Sequence, residues 1–107
     1  MSHTFYISKN LCKCYIEFID KYIENHIESE PKVINQHKNS RSFQTQLNRR
    51  RQERLTLLKL NFKLKDLLKQ WTNPNTSCPQ LKVIEESMSE TYRECERTLW
   101  LLSMPWI

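Results

Sequence analysis

Four arginines within six residues, Arg49, Arg50, Arg51 and Arg54, followed by Lys59, Lys63, Lys65 and Lys69, are the strongest chemical signal in the chain. A basic stripe along a helix supplies what a phosphate backbone requires electrostatically. Arginine and lysine in such a stripe fix position on the backbone without reading base sequence. One expectation is therefore a DNA- or RNA-binding module built on Arg49, Arg50, Arg51 and Arg54. The competing expectation is a solvated basic face, or one that docks an acidic protein or a nuclear import receptor.

The other reactive groups are sparse. Cys12 and Cys14 form a C-x-C pair, and His3, His26 and His37 are the only imidazoles. Residues two apart on a helix diverge by about 200°, and neither a C-x-x-C nor an H-x-x-x-H spacing occurs, so no metal site and no cofactor is expected. Cys12 and Cys95 read as buried free thiols. Cys78 sits near a helix N-terminus, where a thiolate is favoured, but nothing nearby completes a nucleophile and its base. Glu85, Glu86, Glu90 and Glu94 read as a polar helix face able to receive cations from the arginine- and lysine-rich segment. With no oriented pair of acid and base, the expectation is that the protein is not an enzyme.

The chain ends on LWLLSMPWI, an uncharged run with two tryptophans. Leu99, Trp100, Leu101, Met104, Trp106 and Ile107 are read as a protein-docking element, since tryptophan is enriched at binding hot spots and methionine packs adaptably. Two other uses stay open: the run folds back to cap a small core, or it anchors to a membrane surface. The anchor reading lacks the basic residues that usually accompany one.

These groups need a scaffold. A chain of 107 residues with 38% hydrophobic and 27% charged residues supports one domain with a thin core. It contains no glycine. That absence removes dinucleotide fingerprints and P-loops, which need glycine for close backbone approach to phosphate. It also disfavours tight hairpins. No apolar run approaches the roughly 20 residues that span a bilayer. With no secretory signal recognisable, the four cysteines point to a reduced intracellular setting. The first 16 residues lack acids but also lack arginine, which makes a mitochondrial assembly factor a less favoured alternative.

Helical periodicity is strong in three places, and an all-α fold follows: a small three-helix bundle, or a helical hairpin plus one helix, with an apolar C-terminal tail. The first helix is expected over about 9 to 29, capped by Ser8 or Asn10, with Leu11, Tyr15, Phe18 and Tyr22 beside Cys12, Ile16, Ile19, Ile23 and Ile27 as its core face. Pro31 is expected to end it, and 32 to 42 to form a linker. The second, 43 to 71, carries Leu57, Leu60, Leu64, Leu67 and Trp71 on one side and Leu55, Leu58 and Phe62 on the other. Apolar on both flanks, it should lie between its neighbours. The third, 78 to 103, opens with a capping box at Ser77 and Gln80 and runs through Leu81, Ile84, Met88, Tyr92, Cys95, Leu99 and Leu102.

The second segment looks like a basic leucine zipper in placing Leu57, Leu64 and Trp71 at spacings of seven after the arginines. Only two heptads exist, however, and Pro74 stops the coil. In size and composition the chain is similar to short helical subunits of kinetochore, centromere and chromosome-segregation assemblies. That likeness implies a helical adaptor or structural subunit of a larger nuclear complex, bound to other protein subunits through its C-terminus.

Overall fold

The computed structural model describes residues 9 to 106. Among them it is an all-α three-helix bundle without strands: α1 spans Lys9–His37, α2 Phe43–Trp71 and α3 Cys78–Ser103. Glu30 of α1 meets Arg51 and Arg54 of α2, while Asp20 meets Asn61 and Lys65, so α1 and α2 run antiparallel. Arg50 meets Leu102 near the far end of α3, which makes α2 and α3 antiparallel as well. It follows that α1 and α3 run parallel. α2 packs against both neighbours, whereas α1 and α3 touch only through side chains. The outcome is a long, thin body of 55 × 30 × 17 Å.

Its core joins Cys12, Ile16, Ile19 and Ile23 of α1, Leu57, Leu64, Leu67 and Trp71 of α2, and Ile84, Met88, Cys95 and Leu102 of α3. The expected core face of α1 is too wide: Leu11, Phe18 and Ile27 are exposed. A three-helix layer with α2 in the middle covers only one stripe of each outer helix, and these three fall outside it. The same limit applies to α2, which lies between its neighbours but leaves Leu55, Leu58 and Phe62 open to solvent.

Pro31 does not end α1, and 32 to 42 is not a linker. The helix continues through Pro31 to His37, and only 38 to 42 form the turn. Proline removes one backbone hydrogen bond and crowds the preceding turn, which costs about 3 kcal/mol in an isolated helix. Here tertiary contacts on both sides offset it. Glu30, immediately before the proline, is held by two arginines, and His37 at the end stacks on Trp106 with ring centroids 4.7 Å apart. Val33 and Ile34 between them are half-buried. Asn10 lies inside α1 rather than capping it, and Ser8 is outside the described residues.

The turns show how a chain without glycine closes its helices. No described residue has positive φ. At the end of α2, where a left-handed glycine would often serve, threonines do the work. Thr72 Oγ1 donates to Leu68 O at 3.0 Å and Thr76 Oγ1 donates to Gln70 O at 2.8 Å. The Asn73 side chain accepts from Asn75 N at 3.0 Å, bending the loop. α3 then starts with the complete Ser77–Gln80 capping box and Pro79 in its first turn.

Candidate partner interface

The arginine cluster divides by function. Arg50 is half-buried beneath the end of α3, where Nη1 donates to Leu102 O at 3.2 Å and Nη2 donates to Met104 O. The last turn of α3 contains no basic residue of its own. Its unpaired carbonyls and negative dipole end are therefore satisfied by a cation from the neighbouring helix. The same guanidinium lies over the Trp106 ring, 4.5 Å from its centroid. Trp106 also stacks nearly parallel on His37, at 3° between planes, and against Phe43 at 5.8 Å. Arg50 and Trp106 thus form a clamp joining the α1–α2 turn to the end of α3.

Arg51 and Arg54 are committed elsewhere. Arg51 Nη2 lies 2.6 Å from Glu30 Oε1 and Arg54 Nη1 lies 2.7 Å from Glu30 Oε2. Arg54 Nη1 is also 3.2 Å from His26 Nδ1. Because the arginine can only donate, Nδ1 accepts and the ring proton sits on Nε2. Arg49 alone of the four has neither an ion pair nor a side-chain hydrogen bond among the described residues. The expected pairing of the second helix with Glu85, Glu86, Glu90 and Glu94 is corrected: the ion pairs of α2 run to Glu30 and Asp20 of α1. The antiparallel register of α1 and α2 brings those acids level with the cations, while Glu90 and Glu94 of α3 line a groove with Lys63 without forming an ion pair to it.

The C-terminal run divides as well. Leu99 is half-buried and packs on the core, Leu101 is half-buried, and Trp106 is folded back into the clamp. Trp100 is 62% exposed and Met104 is also open to solvent. Ile107 lies outside the described residues.

Trp100 has company that the sequence pattern assigned to the core. Tyr15 of α1 donates its hydroxyl to Glu96 of α3 at 2.7 Å and packs on Tyr92 at 4.6 Å between ring centroids. Since the helices run parallel, one turn beyond this bond lies Phe18 on α1 and Trp100 on α3. Phe18 is 51% exposed and is flanked by Tyr15 and Tyr22 at 6.2 and 6.1 Å. Phe18 and Trp100 are therefore exposed aromatics at similar height on the two helices joined by the Tyr15–Glu96 bond. The sequence signal that could have revealed Phe18 is the excess width of the α1 apolar stripe over what one layer of neighbours can cover.

The thiols offer no comparable site. Cys12 and Cys95 are buried, and burial raises both; Cys95 is pushed up to about 12, with Glu96, Glu94 and Cys12 adding to the effect. Both are poor nucleophiles at neutral pH. Cys14 and Cys78 are exposed. Among the described residues no group of three or more His, Cys, Asp or Glu side chains is placed to hold a metal ion. No described helix is long and apolar enough to cross a membrane.

The Glu30–His26 cluster makes stability depend on acid. The Arg51 hydrogen bond is the main influence lowering the Glu30 carboxyl, aided by Arg54 and opposed by burial. His26 is lowered first by burial, then by Arg54 and Arg50, with Glu30 opposing. In both cases the unfolded chain binds protons more readily, so stability rises with pH across the window of each group. Melting temperature is expected to fall on acidification first below about pH 6.5, as unfolded histidine protonates, and again below about pH 4.3 as the carboxylate does. His26→Gln should flatten the upper limb only. Glu30→Gln should flatten the lower limb and lose about 1 kcal/mol at pH 7, a small figure because the pairs with Arg51 and Arg54 are partly solvated. Thermal melts by circular dichroism from pH 3 to pH 8 check both.

Comparison with known proteins returns no matching family model, no matching curated protein and no matching solved structure.

Proposed function

We propose that this chain is a non-enzymatic helical adaptor, a structural subunit of a larger intracellular complex, docking another protein subunit through its Trp100 face. The observation that carries the reading is the exposure of two large aromatics, Phe18 on α1 and Trp100 on α3, at similar height on helices joined by the Tyr15–Glu96 bond. Large aromatic side chains presented on rigid helices lose little entropy on binding and serve as interface anchors. Leu99 packs on the core, Met104 lies apart from this face beside Arg49, Glu53 and Leu101, and Trp106 belongs to the internal clamp. The net charge of +5 and the lysine-rich α2 support a nuclear setting, in an assembly of chromatin, centromere or kinetochore type. A module gripping DNA or RNA through Arg49 to Arg54 is less well supported, since Arg50, Arg51 and Arg54 already hold carbonyls, a carboxylate and a tryptophan ring.

The test is affinity capture from cross-linked cells, comparing the intact chain with a Trp100→Ala, Phe18→Ala double variant. Both side chains are exposed, so the thermal melt should change little. The expected result is a stoichiometric set of nuclear proteins lost from the variant. Recovery of the same set at the same yield by both chains sinks the proposal.

A further inference from the structure

A second open face lies on the other side of α1, along its groove with α2. Going round α2 from the side that touches α1, at about 100° per residue, the order is Lys65, Leu58, Phe62, Leu55, Lys59. Lys65 marks the α1 edge, because its Nζ lies 3.0 Å from Asp20 Oδ1 and 5.3 Å from the Phe62 ring. Phe62 is 60% exposed, and Leu55 and Leu58 are exposed beside it. Lys59 borders the row on the far edge with no ion-pair partner among the described residues. On α1, Asp20, Glu24 and Glu28 follow at steps of four, each turned about 40° further outward. The apolar row therefore has a carboxylate edge on α1 and an ammonium edge on α2.

The heights of these edges match. Asp20 pairs with Asn61 and Lys65, and Glu30 with Arg51 and Arg54. Interpolating between those two fixed points sets Ile27, also exposed, level with Leu55, and Glu24 level with Lys59.

We propose that this face binds a second copy of the chain in a parallel two-fold dimer. A two-fold axis running along the helices lays Leu55, Leu58 and Phe62 against the same three residues of the second copy. These sit at spacings of three and four, the seam of a short parallel coil. The rotation also exchanges the two edges, so Lys59 faces Glu24 of the second copy, twice over. An antiparallel pair would instead set Lys59 against Lys59 and Glu24 against Glu24, which like-charge repulsion disfavours. A flat anionic membrane would meet Glu24 and Glu28 along with the lysines. The seam ends at Phe62, because one turn further Asp66 would face Glu17 of the second copy.

Three apolar layers and two charge pairs make a small interface. A standard one removes roughly 800 Å² from each partner, so the dimer is expected to dissociate in the micromolar range rather than the nanomolar.

The experiment is sedimentation equilibrium of the purified full chain from about 1 to 300 μM, a range spanning micromolar association. A concentration-dependent monomer–dimer equilibrium that Phe62→Ser weakens at least tenfold is expected. Lys59→Glu and Glu24→Lys should each weaken dimerisation at low salt. Both changes placed in one chain should restore it, since the charges are then exchanged but still opposite. An antiparallel dimer predicts no such restoration and would overturn the proposal, as would a monomer at every concentration. Anionic vesicles of phosphatidylserine and phosphatidylcholine are tested in parallel. Phe62-dependent binding to them by a chain that stays monomeric assigns the face to a membrane and overturns the dimer. All these side chains are exposed, so the variants should fold, and a thermal melt of each checks that they do.

Discussion

Replacing Arg50 by alanine is expected to release the end of the chain and to lose about 2 to 4 kcal/mol of stability. The figure comes from two hydrogen bonds made by a charged donor to Leu102 O and Met104 O, with a cation–π contact to Trp106 of about 1 kcal/mol. Removal also leaves the carbonyl end of α3, the negative pole of its dipole, without the cation that caps it. Released from Arg50, Trp106 loses one of the three groups that enclose it and should become solvated. A red shift of tryptophan emission and faster chymotryptic cleavage near the C-terminus are the readouts. Arg50→Lys keeps the charge but not the two-pronged donor geometry, so it should recover only a minority of the loss. If Arg50→Ala melts with the wild-type chain and its emission does not move, the clamp contributes nothing and Trp106 is held by the aromatic stack alone.

The clamp also shows what the sequence pattern could and could not carry. The all-α class, the three periodic segments and the Ser77–Gln80 capping box are local signals, set by spacing along one helix and by residues within one turn of each other. The continuation of α1 through Pro31 is not local. It depends on Arg51 and Arg54 reaching back to Glu30 and on Trp106 stacking over His37, contacts between residues far apart in the chain. A local rule read at Pro31 gives a helix end, and tertiary contacts override it. The division of LWLLSMPWI has the same origin. Trp100 and Trp106 lie in one run of identical character, and the positions of Arg50, His37 and Phe43 at the helix end determine which of them is drawn inward. Likewise the excess apolar width of α1 and α2 was visible, but which excess residues stay open depends on how many neighbours each helix has. In this fold α1 and α3 have one backbone neighbour each, and Leu11, Phe18, Ile27, Leu55, Leu58 and Phe62 remain uncovered.

Asn61 supplies the largest expected effect. It is 1% exposed, in the middle of the α1–α2 contact. Its Nδ2 donates to Asp20 Oδ1 at 2.7 Å and reaches toward Ile16 O at 3.5 Å, while its Oδ1 is buried with no partner. Turning the amide over would not help, because Oδ1 would then face the Asp20 carboxylate. The orphaned oxygen is thus the consequence of a donor being required at Asp20, and such a group costs about 1 to 3 kcal/mol. Two substitutions with the same number of side-chain heavy atoms should therefore move stability in opposite directions. Asn61→Leu removes the orphan and leaves Asp20 bound to Lys65 at a site open to water, so stability should hold or rise by about 1 kcal/mol. Asn61→Asp replaces the donor by a carboxylate in a dry position beside Asp20, and should lose more than about 3 kcal/mol at pH 7. The introduced carboxyl has its folded-state pKa raised above the ordinary aspartate value. Its penalty is full above that raised value and shrinks as pH falls toward about 4, where the unfolded chain is protonated too. The gap between wild type and Asn61→Asp should therefore narrow on acidification, even though His26 and Glu30 weaken both. Urea unfolding of the three chains at pH 7 and pH 4.5 decides the matter: equal losses for Asn61→Leu and Asn61→Asp, or a gap independent of pH, would mean that a donor to Asp20 is not what sets this position. Should Asn61→Leu prove more stable yet broaden the amide spectrum of α1, the asparagine is retained because it fixes the register that brings Glu30 to the arginines.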